Sequence, residues 1–68
     1  MRLVRGIIKV QHGIYRIYEM LEMSVSEQGQ SFHKVAGYSV FDLEDQQQTE
    51  AISHFMTAVH VIEELMRG

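Results

Sequence analysis

The feature that most constrains this chain is an alternation of apolar and polar residues over residues 3–23, on both sides of His12-Gly13. Side chains of a β-strand alternate between two faces, and Gly13 can adopt the positive φ that tight hairpin turns require. With His12 and Gly13 as a two-residue turn, Val10 faces Tyr15 on a shared apolar face. The stretch therefore predicts a β-hairpin.

The two strands of this hairpin are expected at about residues 3–11 and 14–24. In the same register, Val4 faces Leu21 on the apolar face. The second half also permits a helix, because Ile14, Ile17, Tyr18 and Leu21 are spaced at i, i+3, i+4 and i+7. We favour the strand, since Ile, Val and Tyr are enriched in strands and the first strand matches this one in register.

A third strand is expected at about residues 32–41, after a polar loop that contains Gly29. Gly37 in its interior indicates a bulge or a close approach of another backbone segment. Phe32, Lys34 and Tyr38 would share one face of this strand, and Val35 would lie on the other face with Phe41. If the first of these faces forms the core, Lys34 could reach Glu19 on the neighbouring strand.

The C-terminal part is expected to form one long helix over about residues 43–67. Asp42 is a favourable N-cap residue, and the acidic residues that follow it would lie near the positive end of the helix dipole. From Thr49 onward, apolar residues recur on one half of a helical cylinder. A helix of this length would be roughly 37 Å long, about as long as a strand of ten residues, and could cover the whole sheet.

The predicted fold class is therefore α+β: a three-stranded antiparallel β-meander followed by one long C-terminal α-helix packed on one sheet face (β-β-β-α). The other face would stay open and carry a mixture of apolar and basic residues. An apolar patch of this kind is typical of an interaction site. The candidate interface consists of Ile7, Ile14, Tyr18, Met20, Val35 and Phe41. If self-association consumes this face, the remaining binding surface would be the acidic side of the helix.

Composition supports a partner chain. With 68 residues the chain forms a single domain, expected to span residues 1–68, and a core of this size is marginal in a monomer. The sequence contains no cysteine, which excludes disulfides and thiolate metal sites. Oligomerisation, most simply a homodimer, remains as the additional source of stability. Without cysteine, a secretory signal or a membrane-spanning apolar run, a cytoplasmic location is expected, in a protein of bacterial or phage type.

No pattern in the sequence indicates catalysis, a metal or another cofactor. His54 and His60 are six residues apart, which places them on different sides of a helix, so they cannot chelate one ion. The serines in the 24–31 loop lack a neighbouring base or a nucleophile motif, and no glycine-rich phosphate loop is present. We therefore expect a protein that is not an enzyme.

The function expected from the sequence is a small non-enzymatic protein–protein interaction or regulatory module, acting on itself and on another protein. The alternative is nucleic-acid binding through the open face. Lys9 and Arg16 would lie opposite each other near Arg5, and Tyr18 could stack on a base, as in proteins that bind single strands. The net charge of −3 and the acidic C-terminal half oppose this alternative.

Overall fold

The computed structural model describes residues 3–68, except for the side chain of Ile8. Three long strands, β1, β2 and β3, form an antiparallel sheet in the order β1-β2-β3, and one helix, α1, follows them. The elements are β1 Leu3–His12, β2 Tyr15–Val25, β3 Ser31–Asp42 and α1 Phe55–Arg67. The α+β class, the antiparallel sheet and the single C-terminal helix are confirmed for the described residues.

The turn between β1 and β2 lies one residue later than predicted. His12 pairs with Tyr15, so the two-residue turn is Gly13-Ile14, with Gly13 at φ 64°. Val10 consequently faces Ile17 rather than Tyr15. This shift of two residues preserves the alternation, so the predicted apolar residues still share one face. The thioether of Met66 lies where a Cβ at position 13 would be, which also requires glycine there.

A bulge in β1 restores the predicted register at the far end of the hairpin. Arg5 pairs with Met20 and Lys9 with Tyr18, which leaves three residues of β1 opposite one residue of β2. Beyond this bulge Val4 faces Leu21, as the sequence predicts. Because the insertion contains two additional residues, the faces of β1 are not exchanged.

A second irregularity, in β3, does exchange the faces. Met20 pairs with Gly37 and Leu21 with Val35, so Ala36 is an extra residue between them. A one-residue bulge moves the side chains that precede it to the opposite side of the sheet. Val35 therefore lies on the helix side with Leu21, and the predicted grouping of Val35 with Phe41 is wrong.

Gly37 also meets the second expectation for it, a close backbone approach. A Cβ at this position would lie 2.9 Å from the carbonyl oxygen of Ile52. The segment after β3 passes directly beside this glycine, because Tyr38 and Ile52 exchange two backbone hydrogen bonds of 2.7 Å. The prediction made for Gly37 is confirmed.

The helix is half as long as predicted, and the N-cap assigned to Asp42 is wrong. α1 begins at Phe55, with His54 at the N-cap position. The carboxylate of Asp42 instead accepts hydrogen bonds from the backbone N–H groups of Glu44, at 2.8 Å, and Gln46, at 2.9 Å. These bonds fix a tight turn that reverses the chain, and Asp45 adopts a φ of 64° within it.

The reversed segment, residues 46–52, pairs with the outer edge of β3 as a short, irregular fourth strand. Its bridges join Phe41 to Gln47 and Tyr38 to Ile52, both antiparallel. Between them the Gln48 N–H donates to the Val40 carbonyl at 2.7 Å, and the Val40 N–H donates to the Thr49 hydroxyl at 3.1 Å. The prediction of three strands is thus incomplete, because part of the predicted helix forms a fourth.

The core lies between α1 and the central strands. Ile17 and Val40 of the sheet pack against Ala58 and Ile62 of the helix, and all four are almost completely buried. Tyr38 and Phe55 add an edge-to-face aromatic contact with ring centroids 5.6 Å apart. Within residues 3–68, no helix combines the length and apolar character needed to cross a bilayer.

Candidate interaction surface

The short helix covers only one half of the sheet. Phe55, at its start, packs on Tyr38 in the middle of β3, and Met66, near its end, reaches the β1–β2 turn at Gly13. Thirteen helical residues span about 20 Å. The molecule measures 49 × 21 × 18 Å, so the half of the sheet farther from this turn, the distal half, extends beyond the helix.

The helix-side face of the distal half is uncovered and mostly apolar, with His33 opposite Met23 and Ser31 opposite Val25 as polar neighbours. In β2, Leu21, Met23 and Val25 continue the alternation that places Ile17 under the helix, and Val4 and Val35 flank Leu21 on the neighbouring strands. Exposed fractions are 45% for Val4, 46% for Val35, 58% for Met23 and 65% for Val25. These residues, with the half-buried Leu21, form a contiguous surface that we call the uncovered half-face: Val4, Leu21, Met23, Val25 and Val35.

The opposite side of the sheet was expected to be exposed to solvent, but its central side chains are buried. Tyr18, Met20 and Phe41 form its centre and are only 6–7% exposed. We call this the aromatic face. The rings of Tyr18 and Phe41 meet edge to face, with centroids 5.1 Å apart. The guanidinium of Arg5 lies over both rings and covers them.

The arginines of the aromatic face are paired within the chain. Arg5 donates to the Asp45 carboxylate at 3.2 Å, and the guanidinium of Arg16 lies 3.9 Å from the same oxygen. Asp45 is placed there by the turn that follows β3. Its carboxylate partly neutralises both cations, and Tyr18 lacks the exposed ring that base stacking needs. Lys9 remains exposed on β1.

An ion pair marks the distal end of the aromatic face. Lys34 and Glu22 lie opposite each other on β3 and β2, with 3.0 Å between the ammonium and the carboxylate. The bulge at Ala36 places Lys34 on this side. The predicted contact of Lys34 with Glu19 is therefore wrong, since Glu19 faces Tyr38.

The structure does not bring the six predicted interface residues together. Tyr18, Met20 and Phe41 are buried on the aromatic face, whereas Val35 belongs to the uncovered half-face. Ile14 lies in the β1–β2 turn and is 61% exposed. The sixth residue, Ile7, lies in the β1 bulge and is 95% exposed.

Three residues of the uncovered half-face, Val4, Leu21 and Met23, were missed because they were assigned to the core under the long helix, and Val25 was missed because it was assigned to the loop after the second strand. The period-two pattern of Val4 and Leu21 was correctly interpreted as apolar, so the error there concerned what covers them. A signal was present in the sequence: the stretch 42–50 is entirely polar apart from Leu43. A helix that begins after this stretch, as α1 does at Phe55, cannot reach the distal half.

No group of three His, Cys, Asp or Glu side chains among the described residues could hold a metal ion. No protein-family model, curated protein or solved structure matches this chain.

Proposed function

We propose that this protein is a small non-enzymatic protein–protein interaction module that works as a homodimer in the cytoplasm. The observation that carries the proposal is the uncovered half-face. It presents aliphatic side chains of three strands as one surface, and its residues continue the pattern that forms the core under the helix. Apolar surfaces of this kind are stabilised when a partner removes them from water.

The shape of the chain supports the same proposal. Its accessible surface is 5001 Å², whereas a compact monomer of this mass is expected to expose about 4,400 Å². Its radius of gyration is 13.4 Å, compared with about 11 Å for a compact domain of this length. The excess of roughly 600 Å² approaches the ~800 Å² that each partner contributes to a standard interface.

Nucleic-acid binding has weaker support. It requires free cations beside an exposed aromatic ring, but Arg5 and Arg16 are paired with Asp45 and Tyr18 is buried. Any such binding would fall steeply with salt. Association through aliphatic side chains has the opposite behaviour, because it persists or strengthens when salt is added.

Light scattering at several protein concentrations, each at low and high salt, tests the proposal. We expect a mass of twice the 7.9 kDa of one chain at high protein concentration, and a fall toward the mass of one chain on dilution. The dimer should be retained at high salt. A monomer under all conditions would overturn the homodimer. In parallel, titration with a fluorescent single-stranded oligonucleotide should show no binding at low salt; tight, salt-sensitive binding would favour the alternative instead.

A further inference from the structure

The helix creates a step on one side of the molecule. α1 packs on the half of the sheet next to Gly13. The outer surface of the helix is therefore about one helix diameter, roughly 10 Å, farther from the sheet than the uncovered half-face is. Two sheets that pack face to face are also separated by about 10 Å. A second sheet laid on the uncovered half-face would therefore fill the step to about the depth of the helix.

We infer that the occupant of this step is the uncovered half-face of a second copy, related to the first by a two-fold axis. The inference rests on the proposed homodimer and assigns its interface. Because the same surface is used on both chains, such contacts close after two copies and do not propagate into filaments. The two helices then lie at opposite ends of the dimer.

The lengths of the elements fit this arrangement. α1 begins above Tyr38, which faces Glu19 of β2, and β2 ends six residues later at Val25. These six residues span about 20 Å. When the two distal halves overlap over this length, the two-fold axis passes near Met23, and the β2–β3 turn of each copy, residues 26–30, arrives at the start of the other copy's helix.

One favourable charge contact is available where these turns arrive, beside Glu19 of β2, which lies opposite Tyr38 on the same side of the sheet. The turn carries Glu27, which is exposed. The first turn of the described helix contains no acidic residue, and the His54 side chain makes no capping hydrogen bond. The positive end of a helix dipole favours a nearby carboxylate. This contact adds to the aliphatic surface, which supplies most of the contact area.

Pairing of two copies through strand edges is less favourable in this fold. The outer edge of β1 is broken by the bulge between Arg5 and Lys9, and both of these side chains are charged. Bulges and charges on an edge strand oppose pairing with another chain. Part of the outer edge of β3 is already occupied by residues 46–52. Face-to-face docking avoids both obstacles.

Crosslinking tests this geometry directly, because the chain contains no cysteine. Glu27→Cys and Ser53→Cys, both at exposed positions, are purified separately, mixed and treated with a short bis-maleimide. We expect the mixed, covalently linked dimer to be the main product. Ile14→Cys, at the opposite end of the sheet, should give no such product with Ser53→Cys. Equal yields from both mixtures would overturn the assigned interface.

A substitution near the two-fold axis gives an independent readout. Met23→Asp should weaken the dimer about 100-fold or more, because two carboxylates would be buried in a mostly apolar interface, in which His33 is the neighbouring polar side chain. The matched control is Ile7→Asp, which is more exposed and lies outside the interface. Circular dichroism checks that both variants fold, which is expected since neither side chain is buried in one chain.

The outcomes separate the inference from the proposed function. If the wild type is dimeric but Met23→Asp leaves its dissociation constant unchanged, the assigned interface is wrong and the homodimer stands. If the wild type is monomeric at every concentration, both are wrong. Loss of the dimer in Met23→Asp, with retention in Ile7→Asp, supports both.

Discussion

The guanidinium of Arg5 lies 4.5 Å from the centroid of the Tyr18 ring, on the side of the sheet opposite the helix. The same group is 5.0 Å from the centroid of the Phe41 ring and donates a hydrogen bond to the carboxylate of Asp45. A charged residue near the start of the chain thus takes the place that a second layer of structure occupies in larger domains. This explains why the centre of the aromatic face is buried without a second helix.

Arg5→Ala should therefore destabilise the fold. The change removes two cation–π contacts and the aliphatic stem that covers the rings, for a combined loss of about 1–2 kcal/mol in the free energy of unfolding. Urea denaturation followed by circular dichroism measures this loss, at one fixed protein concentration because association adds to stability. Lys9→Ala, on the same strand, should change it by less than about 0.5 kcal/mol. Equal effects of the two substitutions would refute the covering role of Arg5.

Gly37→Ala tests the close approach between β3 and the segment that follows it. The new methyl group would lie 2.9 Å from the carbonyl oxygen of Ile52, so the fourth strand must move away. We expect a loss of about 1–3 kcal/mol, as for other overpacked sites. Hydrogen exchange should also show faster exchange of the Tyr38 and Ile52 amides, which bond each other's carbonyls. Unchanged protection of both amides would show that the backbone has room for the methyl group.

The alternation of the hairpin was predictable from the sequence, because it depends on local chemistry. The misplaced turn did not change which side chains share a face, since a shift of two residues leaves Val10 and Ile17 on the same face. The faces of β3 were less predictable. Gly37 pointed to a bulge, but the sequence did not show on which side of it the extra residue lies. Placement of Val35 and Lys34 depended on that single residue.

The extent of the helix could not be obtained from local signals. A carboxylate that accepts backbone N–H bonds from residues two and four positions later can begin a helix or close a tight turn, and Asp42 does the latter. What decides between them is the edge of β3, which offers backbone partners to residues 46–52. That edge is created by pairing of β3 with β2, a non-local event. The error in helix length concealed the uncovered half-face.

Thr49, in the segment that pairs with β3, contributes to this pairing through its side chain. Its hydroxyl accepts the N–H of the fully buried Val40 at 3.1 Å, at a point where the fourth strand is too irregular to provide a carbonyl. Thr49→Val keeps the shape but removes the acceptor. We expect a loss of about 1–3 kcal/mol, the cost of leaving a buried donor unsatisfied. Thr57→Val, on the exposed side of α1, is the control for the change in residue type, and a loss as large as that of Thr49→Val would contradict this role.

Ser39 presents the reverse case, a buried hydroxyl without a partner among the described residues. Its side chain is fully buried, and its Oγ makes no hydrogen bond there. Burying an unpaired hydroxyl costs about 1–3 kcal/mol, so its removal should recover part of that cost. We expect Ser39→Ala to leave the free energy of unfolding unchanged or to raise it by up to about 1 kcal/mol, since a small cavity offsets the gain. A loss of more than about 1 kcal/mol in urea denaturation would mean that the hydroxyl is hydrogen-bonded in solution.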